Sequence, residues 1–196
     1  MGRAEHEVIL NWIQKGASVL DLGCGDGKLL SLLASQKHVR GQGIELSTDA
    51  VYKCVAAGLN VFQEDIDTGL SEFGDDCFDF VILNQTFQQV KKPVFVLQEA
   101  LRVGRKTIVG FPNFLNASAR LQMFIKGRVP VTKALPFEWY DTPNLHFLSI
   151  SDFKDFCRER NIEIESSAFF NKNKTIRLLP NLLAEIGLFL LSPNAH

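Results

Sequence analysis

A glycine-rich turn is the feature of the chain that most clearly suggests binding chemistry. The segment Asp21-Leu22-Gly23-Cys24-Gly25-Asp26-Gly27 begins at the end of the short apolar run Ser18–Leu22 and precedes the leucine-rich run Lys28–Ala34. Glycines let the backbone turn sharply and approach a ligand closely, and the N-terminus of a following helix offers unpaired N–H groups to an anionic group. The GxGxG spacing differs from the GxGxxG of dinucleotide-binding folds. Tight strand-to-helix turns favour glycine without a ligand, so the turn alone leaves a structural role open.

Two acidic residues extend this pattern to the next two predicted strands. Glu45 ends the second strand, where a carboxylate can accept hydrogen bonds from both hydroxyls of a ribose and would repel a 2′-phosphate. Asp65 ends the third strand, where it can accept a hydrogen bond from an adenine amino group. Each acid alone is equally consistent with a solvated residue or a helix cap. Three such features at consecutive strand ends favour a nucleoside site.

The elements that must position these residues are short apolar runs alternating with amphipathic ones. This alternation predicts strands separated by helices, in a mostly parallel sheet covered by helices on both faces. The predicted strands are Ser18–Leu22, Val39–Leu46, a run beginning with Asn60–Gln63, Phe78–Leu83, Lys106–Phe111, Ile162–Phe169 and Glu185–Leu191. The predicted helices are Lys28–Ala34, a run from residue 48 to about Ala57, Val94–Val103, Asn116–Lys126, and Asp152–Arg160 with Ser151 as its cap. In such sheets ligands bind beyond the carboxyl ends of the strands.

Composition excludes several other classes of protein. The 196 residues carry a formal charge of −1, which does not support a general nucleic-acid-binding surface. The four cysteines form no CxxC pair and no cluster with histidine, so we expect no metal site. The charged run Met1–Glu7 lacks a signal-peptide core, and the apolar stretch Leu178–Leu191 is too interrupted to span a membrane. We therefore expect a cytoplasmic protein of one domain, 1–196, with an inserted lid or interaction segment at about 112–147.

Residues 17–111, and above all the run VLDLGCGDG, resemble the class I S-adenosylmethionine-dependent methyltransferases. The resemblance implies a Rossmann-like fold with seven strands, the last one antiparallel. It also implies that Asp21 and the backbone around Gly23 face the amino-acid part of S-adenosylmethionine or S-adenosylhomocysteine, and that the negative charge nearby suits a cationic ligand. In this resemblance Glu45 would hold the ribose, Asp65 and the backbone of Ile66 would meet the adenine, and Asn84 and Gln85 would lie beside the methionine moiety. The full set of implied cofactor-binding residues is Asp21, Gly23, Cys24, Gly25, Asp26, Gly27, Glu45, Leu46, Asp65, Ile66, Asn84 and Gln85.

Longer stretches are similar to the methionine biosynthesis protein MetW family over nearly the whole chain. They include DIDTGL, VILNQTFQQV, LRVGRKTIVGFPNF, GRVPVTKALPFEWYDTPNLHF and RLLPNLLAEIGLFLL. The resemblance implies a methyltransferase-like protein that supports or regulates homoserine O-acyltransferase, and it names no methyl acceptor. The alternatives are an active methyltransferase on a small molecule or protein, and a dinucleotide-dependent oxidoreductase, which the GxGxG spacing disfavours.

The proline-rich segment 112–147 brings together polar and aromatic residues after the fifth strand, where this class of proteins faces its substrates. Asp141 or His146 could act as a general base, or the aromatic residues could form a binding surface or a lid. A structural role, with buried aromatics and asparagines in turns, remains the third interpretation. The candidate substrate or partner residues are Asn113, Trp139, Tyr140, Asp141, Asn144 and His146.

Overall fold

An eight-stranded sheet forms the centre of the protein in a computed structural model that describes residues 4–132 and 134–193. The start of the charged run Met1–Glu7 therefore lies outside the described residues. The strands follow the spatial order β3-β2-β1-β4-β5-β8-β6-β7. Their bounds are β1 Ser18–Leu22, β2 Arg40–Glu45, β3 Asn60–Gln63, β4 Phe78–Asn84, β5 Gly104–Pro112, β6 Ile162–Asn171, β7 Lys174–Thr175 and β8 Ile186–Pro193.

The first five strands are parallel to one another, as predicted. The last strand, β8, lies antiparallel between β5 and β6, which confirms the expected class I methyltransferase topology. The strand order reverses at β1, because β2 pairs on one side of it and β4 on the other. A reversal of this kind opens a crevice at the carboxyl ends of the strands, and it is there that ligands bind in doubly wound sheets.

Helices cover both faces of the sheet, as predicted. On one face α1 and α2 bury Ile9 and Leu33 in a common apolar cluster, and on the other α4 and α6 bury Val96 and Phe153. None of the helices in the described ranges is long and apolar enough to cross a membrane. The helices are α1 Ala4–Trp12, α2 Lys28–Lys37, α3 Thr48–Ala56, α4 Pro93–Val103, α5 Ala117–Lys126, α6 Ile150–Glu159 and α7 Pro180–Leu183, with a single 3₁₀ turn at Ile66–Thr68.

Three details differ from the sequence-based prediction. The two-residue strand β7 adds an eighth strand to the seven expected, because a pair of residues is too short to show a periodic pattern. Helix α6 begins two residues early, so the prediction of Ser151 as its cap is wrong. Ser149 and Asp152 instead exchange side-chain-to-backbone hydrogen bonds in a capping box. No helix is predicted from the sequence at the positions of α1 and α7.

Candidate functional site

A cavity of about 680 Å³ opens at the carboxyl ends of β1, β2, β3 and β4. This volume lies within the range of small-molecule sites in proteins. All of the predicted cofactor-binding residues except Gly27 line it, and they do so together with residues that the sequence analysis did not single out. The full lining consists of His6, Asp21, Gly23, Cys24, Gly25, Asp26, Lys28, Leu29, Ile44, Glu45, Leu46, Ser47, Glu64, Asp65, Ile66, Asp67, Asn84, Gln85, Thr86, Gln89 and Val90.

The glycines of the turn differ in what surrounds them. Gly23, Gly25 and Gly27 all have positive φ, at 72°, 56° and 74°, so each adopts a conformation that favours glycine. A Cβ at Gly23 would lie 2.5 Å from the Thr86 side chain, whereas a Cβ at Gly25 would meet nothing within 4 Å. A Cβ at Gly27 would collide with Leu59 on the far side of the turn. Gly25 therefore adds no side chain to the cavity wall. Gly27 does not line the cavity, and its lack of a side chain allows Leu59 to pack against the turn.

Glu45 fixes the glycine turn to the end of β2. Its carboxylate accepts hydrogen bonds from the Gly25 backbone N–H at 2.8 Å and from the Ser47 backbone N–H at 2.9 Å. Because a carboxylate can accept about four hydrogen bonds, two remain for a ligand. Glu45 thus stabilises the turn and still presents acceptors to the cavity.

Asp21 is the buried acid of the cavity, with only 3% of its surface exposed. Burial and the nearby charge of Glu45 raise the pKa of its carboxyl to about 7. Within residues 4–132 and 134–193, no hydrogen bond donor reaches this carboxyl. A cationic group in the cavity would favour its ionised form.

Asp65 lies just after β3 and is linked, through Asp67, to the loop before α4. Its Oδ1 accepts the Asp67 backbone N–H at 2.9 Å, which caps the 3₁₀ turn. The carboxylate of Asp67 in turn accepts the backbone N–H groups of Lys91 and Lys92, at 2.9 and 2.8 Å. The capping role considered for Asp65 is therefore present, and its second oxygen accepts no hydrogen bond from the described residues.

The end of β4 holds polar groups that lack partners. The Asn84 Oδ1 and Gln85 Nε2 atoms are buried, and the described residues give them no hydrogen bond partner. Gln85 also has a φ of +63°, which is uncommon for a residue with a side chain. Strained conformations and unpaired buried polar atoms tend to occur at functional sites. Gly110 on β5 makes room here, since a Cβ at that position would collide with Asn84.

Cys24 lines the cavity as a small, buried residue. Burial is the largest of the influences that raise the pKa of its thiol, which therefore stays protonated at neutral pH. A Cβ at Gly43 would lie 2.6 Å from its Sγ, so the turn and β2 are packed closely around the sulfur. These contacts show that the thiol fills the narrow space between the turn and β2.

A second cavity, of about 510 Å³, is lined entirely by the segment that follows β5. Trp139 and Asn144 line it together with Phe114 and Met123, whereas Tyr140 and Asp141 lie exposed outside it. Its full lining is Phe114, Leu115, Met123, Gly127, Arg128, Val129, Pro130, Leu135, Phe137, Glu138, Trp139, Thr142, Asn144 and Phe147. None of the six predicted substrate or partner residues lines the first cavity.

Two of these predicted residues make specific internal contacts. His146 Nε2 lies 2.9 Å from the backbone carbonyl oxygen of Val90. Asn113 is fully buried, and its amide donates to the carbonyl oxygens of Asn181 at 3.0 Å and Ala184 at 2.8 Å. Neither His146 nor Asp141 lines the first cavity, so the geometry places no general base there from this set. The contacts of Asn113 favour a structural role.

Sequence reasoning missed several residues of the first cavity. Asp67 could have been found from the second acid of the run DIDTGL, and Thr86 from its place two residues after β4. His6 carried no such signal, because it reaches the cavity from helix α1, which was not anticipated.

Known proteins resemble this chain in both sequence and fold. Residues 3–191 match the family model described as methionine biosynthesis protein MetW. A curated relative from Rhodopirellula baltica, the bifunctional methionine biosynthesis protein MetXA/MetW, is 36% identical over 186 residues, which cover 90% of this chain. This chain spans only about 30% of the length of that relative. The ubiquinone biosynthesis O-methyltransferase of Paraburkholderia xenovorans is 27% identical over 165 residues, covering 78% of this chain and 69% of that protein.

Solved structures agree on the fold. An S-adenosylmethionine-dependent methyltransferase from Mesorhizobium loti aligns with a TM-score of 0.70 at 16% identity, covering 98% of this chain and 99% of that chain. A chain from the complex between the Haloferax volcanii Trm112 methyltransferase activator and a methyltransferase aligns with a TM-score of 0.69 at 17% identity, covering 96% and 88%. The chain has the class I methyltransferase fold and belongs to the methionine biosynthesis protein MetW family.

Proposed function

We propose that this protein binds S-adenosylmethionine or S-adenosylhomocysteine in the first cavity and, in that state, supports or regulates a homoserine O-acyltransferase. The observation that carries the cofactor assignment is the set of acidic and unpaired polar groups at four neighbouring strand ends. The acyltransferase assignment rests on the fused relative, whose printed name joins MetXA to MetW in one chain.

The residues present fit the cofactor group by group. Asp21 would meet the ammonium group, Glu45 the ribose hydroxyls and Asp65 the adenine amino group. The unpaired Asn84 Oδ1 and Gln85 Nε2 would lie beside the methionine moiety and gain the partners that they lack. The cofactor, when bound, supplies an electrophilic methyl group on a sulfonium, and the chain supplies its binding and orientation.

The charge of the cavity favours a cation over a phosphate. Six acids line it, against the two basic side chains His6 and Lys28, and Lys28 is already paired with Asp26. A nucleotide phosphate would be repelled by such a wall, whereas ammonium and sulfonium groups would be attracted. The six acids are Asp21, Asp26, Glu45, Glu64, Asp65 and Asp67.

The loop after β4 offers a physical route from the cavity to a partner surface. Gln85 and Gln89 of this loop line the first cavity. The neighbouring carbonyl oxygen of Gln88 accepts the backbone N–H groups of Leu145 and His146, at 2.9 and 3.1 Å. A ligand that shifts the loop would therefore shift the segment that carries the second cavity, which is how cofactor supply would reach an associated enzyme.

The assignment is tested by replacing Glu45. We expect Glu45→Ala to weaken binding of S-adenosylmethionine by about 1–3 kcal/mol, because two hydrogen bonds to a charged acceptor are lost. Isothermal titration calorimetry measures the dissociation constant directly. Glu64→Ala is the matched control, since it removes the same charge from the same cavity without a proposed ribose contact. Equal dissociation constants for the wild type and Glu45→Ala would contradict the assignment.

A second function, methyl transfer to an unidentified acceptor, is favoured by the O-methyltransferase relative from Paraburkholderia xenovorans. Methyl transfer from a sulfonium depends mainly on positioning, so the position of Asp141 and His146 away from the first cavity does not oppose it. Incubation with methyl-labelled cofactor and extract from the native cell tests this function. Labelled product would support it, and tight cofactor binding without any label transfer would leave the regulatory function as the better account.

A further inference from the structure

Helix α5 is poorly packed against the rest of the protein. Of its ten residues, Ala117–Lys126, only Ala119 is buried. Its ends are well formed, since the Asn116 side chain accepts the Ala119 backbone N–H and Gly127 ends the helix with a φ of +58°. Isolated helices of this length are marginal in water and depend on packing of an apolar face. Its apolar side chains therefore need a surface that the described residues do not supply.

The exposed side of α5 is apolar. Leu121, Phe124 and Ile125 are 58%, 89% and 68% exposed, and their i, i+3, i+4 spacing places them on one side of the helix. Single exposed apolar residues are common, but a contiguous group of large ones marks an interaction site.

The second cavity extends this apolar region. Met123 of α5 lines the cavity, so the helix and the cavity adjoin. Val129, Phe137 and Trp139 form other parts of its wall and are 51%, 42% and 71% exposed. We call the combined region the α5 surface, defined by Leu121, Phe124, Ile125, Val129, Phe137 and Trp139. An exposed apolar ridge next to an open apolar cavity suits a partner that inserts a large side chain as an anchor.

Positive charge borders the α5 surface. Arg120, Lys126 and Arg128 lie on or next to α5 and outnumber Glu138, the acid among the residues that line the second cavity. Arg120 donates a hydrogen bond to the backbone carbonyl oxygen of Leu115, and within the described ranges none of the three cations forms an ion pair. Unpaired cations at the rim of an apolar patch favour a partner whose own rim is acidic.

We propose that the α5 surface docks the homoserine O-acyltransferase, which presents an apolar anchor to the second cavity and acidic residues to the basic rim. This inference rests on the proposed function, because the acyltransferase is the partner that the fused relative indicates. It adds the location and the chemistry of the contact. The docked segment is also the one whose backbone bonds to Gln88, so the partner would contact the part of the chain that the cofactor cavity adjoins.

The test measures binding between the full-length chain and the acyltransferase of the same organism. We expect the double variant Phe124→Ser, Ile125→Ser to weaken this binding by at least tenfold, and Arg128→Glu to weaken it and reduce its dependence on salt. Leu178→Ser is the matched control, since Leu178 is 78% exposed and lies outside the α5 surface. Unchanged binding of S-adenosylmethionine by each variant reports that its fold is intact.

Each outcome has a distinct meaning. Wild-type binding that the α5 variants leave within twofold overturns the location and leaves the proposed function standing. Absence of wild-type binding in calorimetry and co-purification overturns both. A third outcome is a wild-type dimer, seen by light scattering, that the double variant converts to a monomer while acyltransferase binding stays unchanged. In that case the α5 surface joins two copies of this chain, and the docking proposal is wrong.

Discussion

We expect the buried carboxyl of Asp21 to make the proposed binding of S-adenosylmethionine dependent on pH. Its pKa is raised to about 7, so in the ligand-free protein it is largely protonated at pH 6 and largely ionised at pH 8. If the ammonium group of S-adenosylmethionine meets this carboxyl, binding favours the ionised form and must release its proton at low pH. With a pKa of about 7, roughly nine-tenths of the carboxyl is protonated at pH 6, and we expect binding there to be about tenfold weaker than at pH 8.

Calorimetry over this range, in two buffers with different ionisation enthalpies, gives both the dissociation constant and the number of protons released. The Asp21→Asn variant supplies the control, because the ligand's own amino group titrates identically with both proteins. Glu45→Gln should move the midpoint to lower pH, since the charge of Glu45 is the second cause of the raised pKa. S-adenosylhomocysteine has the same amino-acid part and should show the same pH dependence. Superimposable profiles for wild type and Asp21→Asn would refute the role of Asp21.

The same carboxyl also has a consequence for stability without ligand. Its pKa is higher in the folded protein than the ordinary value of 3.8, so the folded state binds this proton more tightly than the unfolded state does. Its contribution to stability is complete below about pH 4 and is lost as the pH rises through about 7, by up to roughly 4 kcal/mol. Urea unfolding at pH 5 and pH 8 should therefore show a smaller loss for Asp21→Asn than for the wild type. An equal loss of unfolding free energy in the wild type and in Asp21→Asn would show that another group binds this proton.

Two further predictions concern glycine and asparagine positions. Gly23→Ala should destabilise the protein by about 2 kcal/mol, because the new side chain is strained at positive φ and contacts Thr86. Gly25→Ala should destabilise the protein by only about 1 kcal/mol, because the new Cβ meets no other atom. It should weaken cofactor binding more than Gly23→Ala does, because Gly25 lines the cavity. Denaturant unfolding paired with calorimetry separates the two, and equal effects on stability would contradict the difference in their surroundings. Asn113→Ala should lower the free energy of unfolding by about 2–3 kcal/mol, since two carbonyl oxygens lose their donor, and cofactor affinity should stay the same. A large loss of affinity with normal stability would show instead that Asn113 belongs to the binding site.

The position of the first cavity was predictable because parallel strands constrain where their ends meet. Once the order of strands and helices is read from the sequence, the residues after β1, β2, β3 and β4 must gather at one edge of the sheet, and the structure gathers them there. The segment 112–147 offered no such rule. Its prolines remove periodicity, and contacts such as that of His146 with Val90 join residues 56 positions apart with no local signal. Trp139 and Tyr140 are adjacent in sequence, yet only the first of them lines the second cavity.

In the first cavity, a carboxylate that caps a turn also keeps free acceptor positions for a ligand, so the two roles do not exclude each other. Sequence reasoning weighed a structural against a binding role for Glu45 and Asp65, as if one excluded the other. In the structure Glu45 uses two acceptor positions on backbone N–H groups, and Asp65 uses one oxygen to cap the 3₁₀ turn. Those bonds fix each carboxylate in place before a ligand arrives, which lowers the entropy lost on binding. For the ligand proposed here, the structural role of each carboxylate would make its binding role effective, so loss of the backbone contact alone should weaken ligand binding as well.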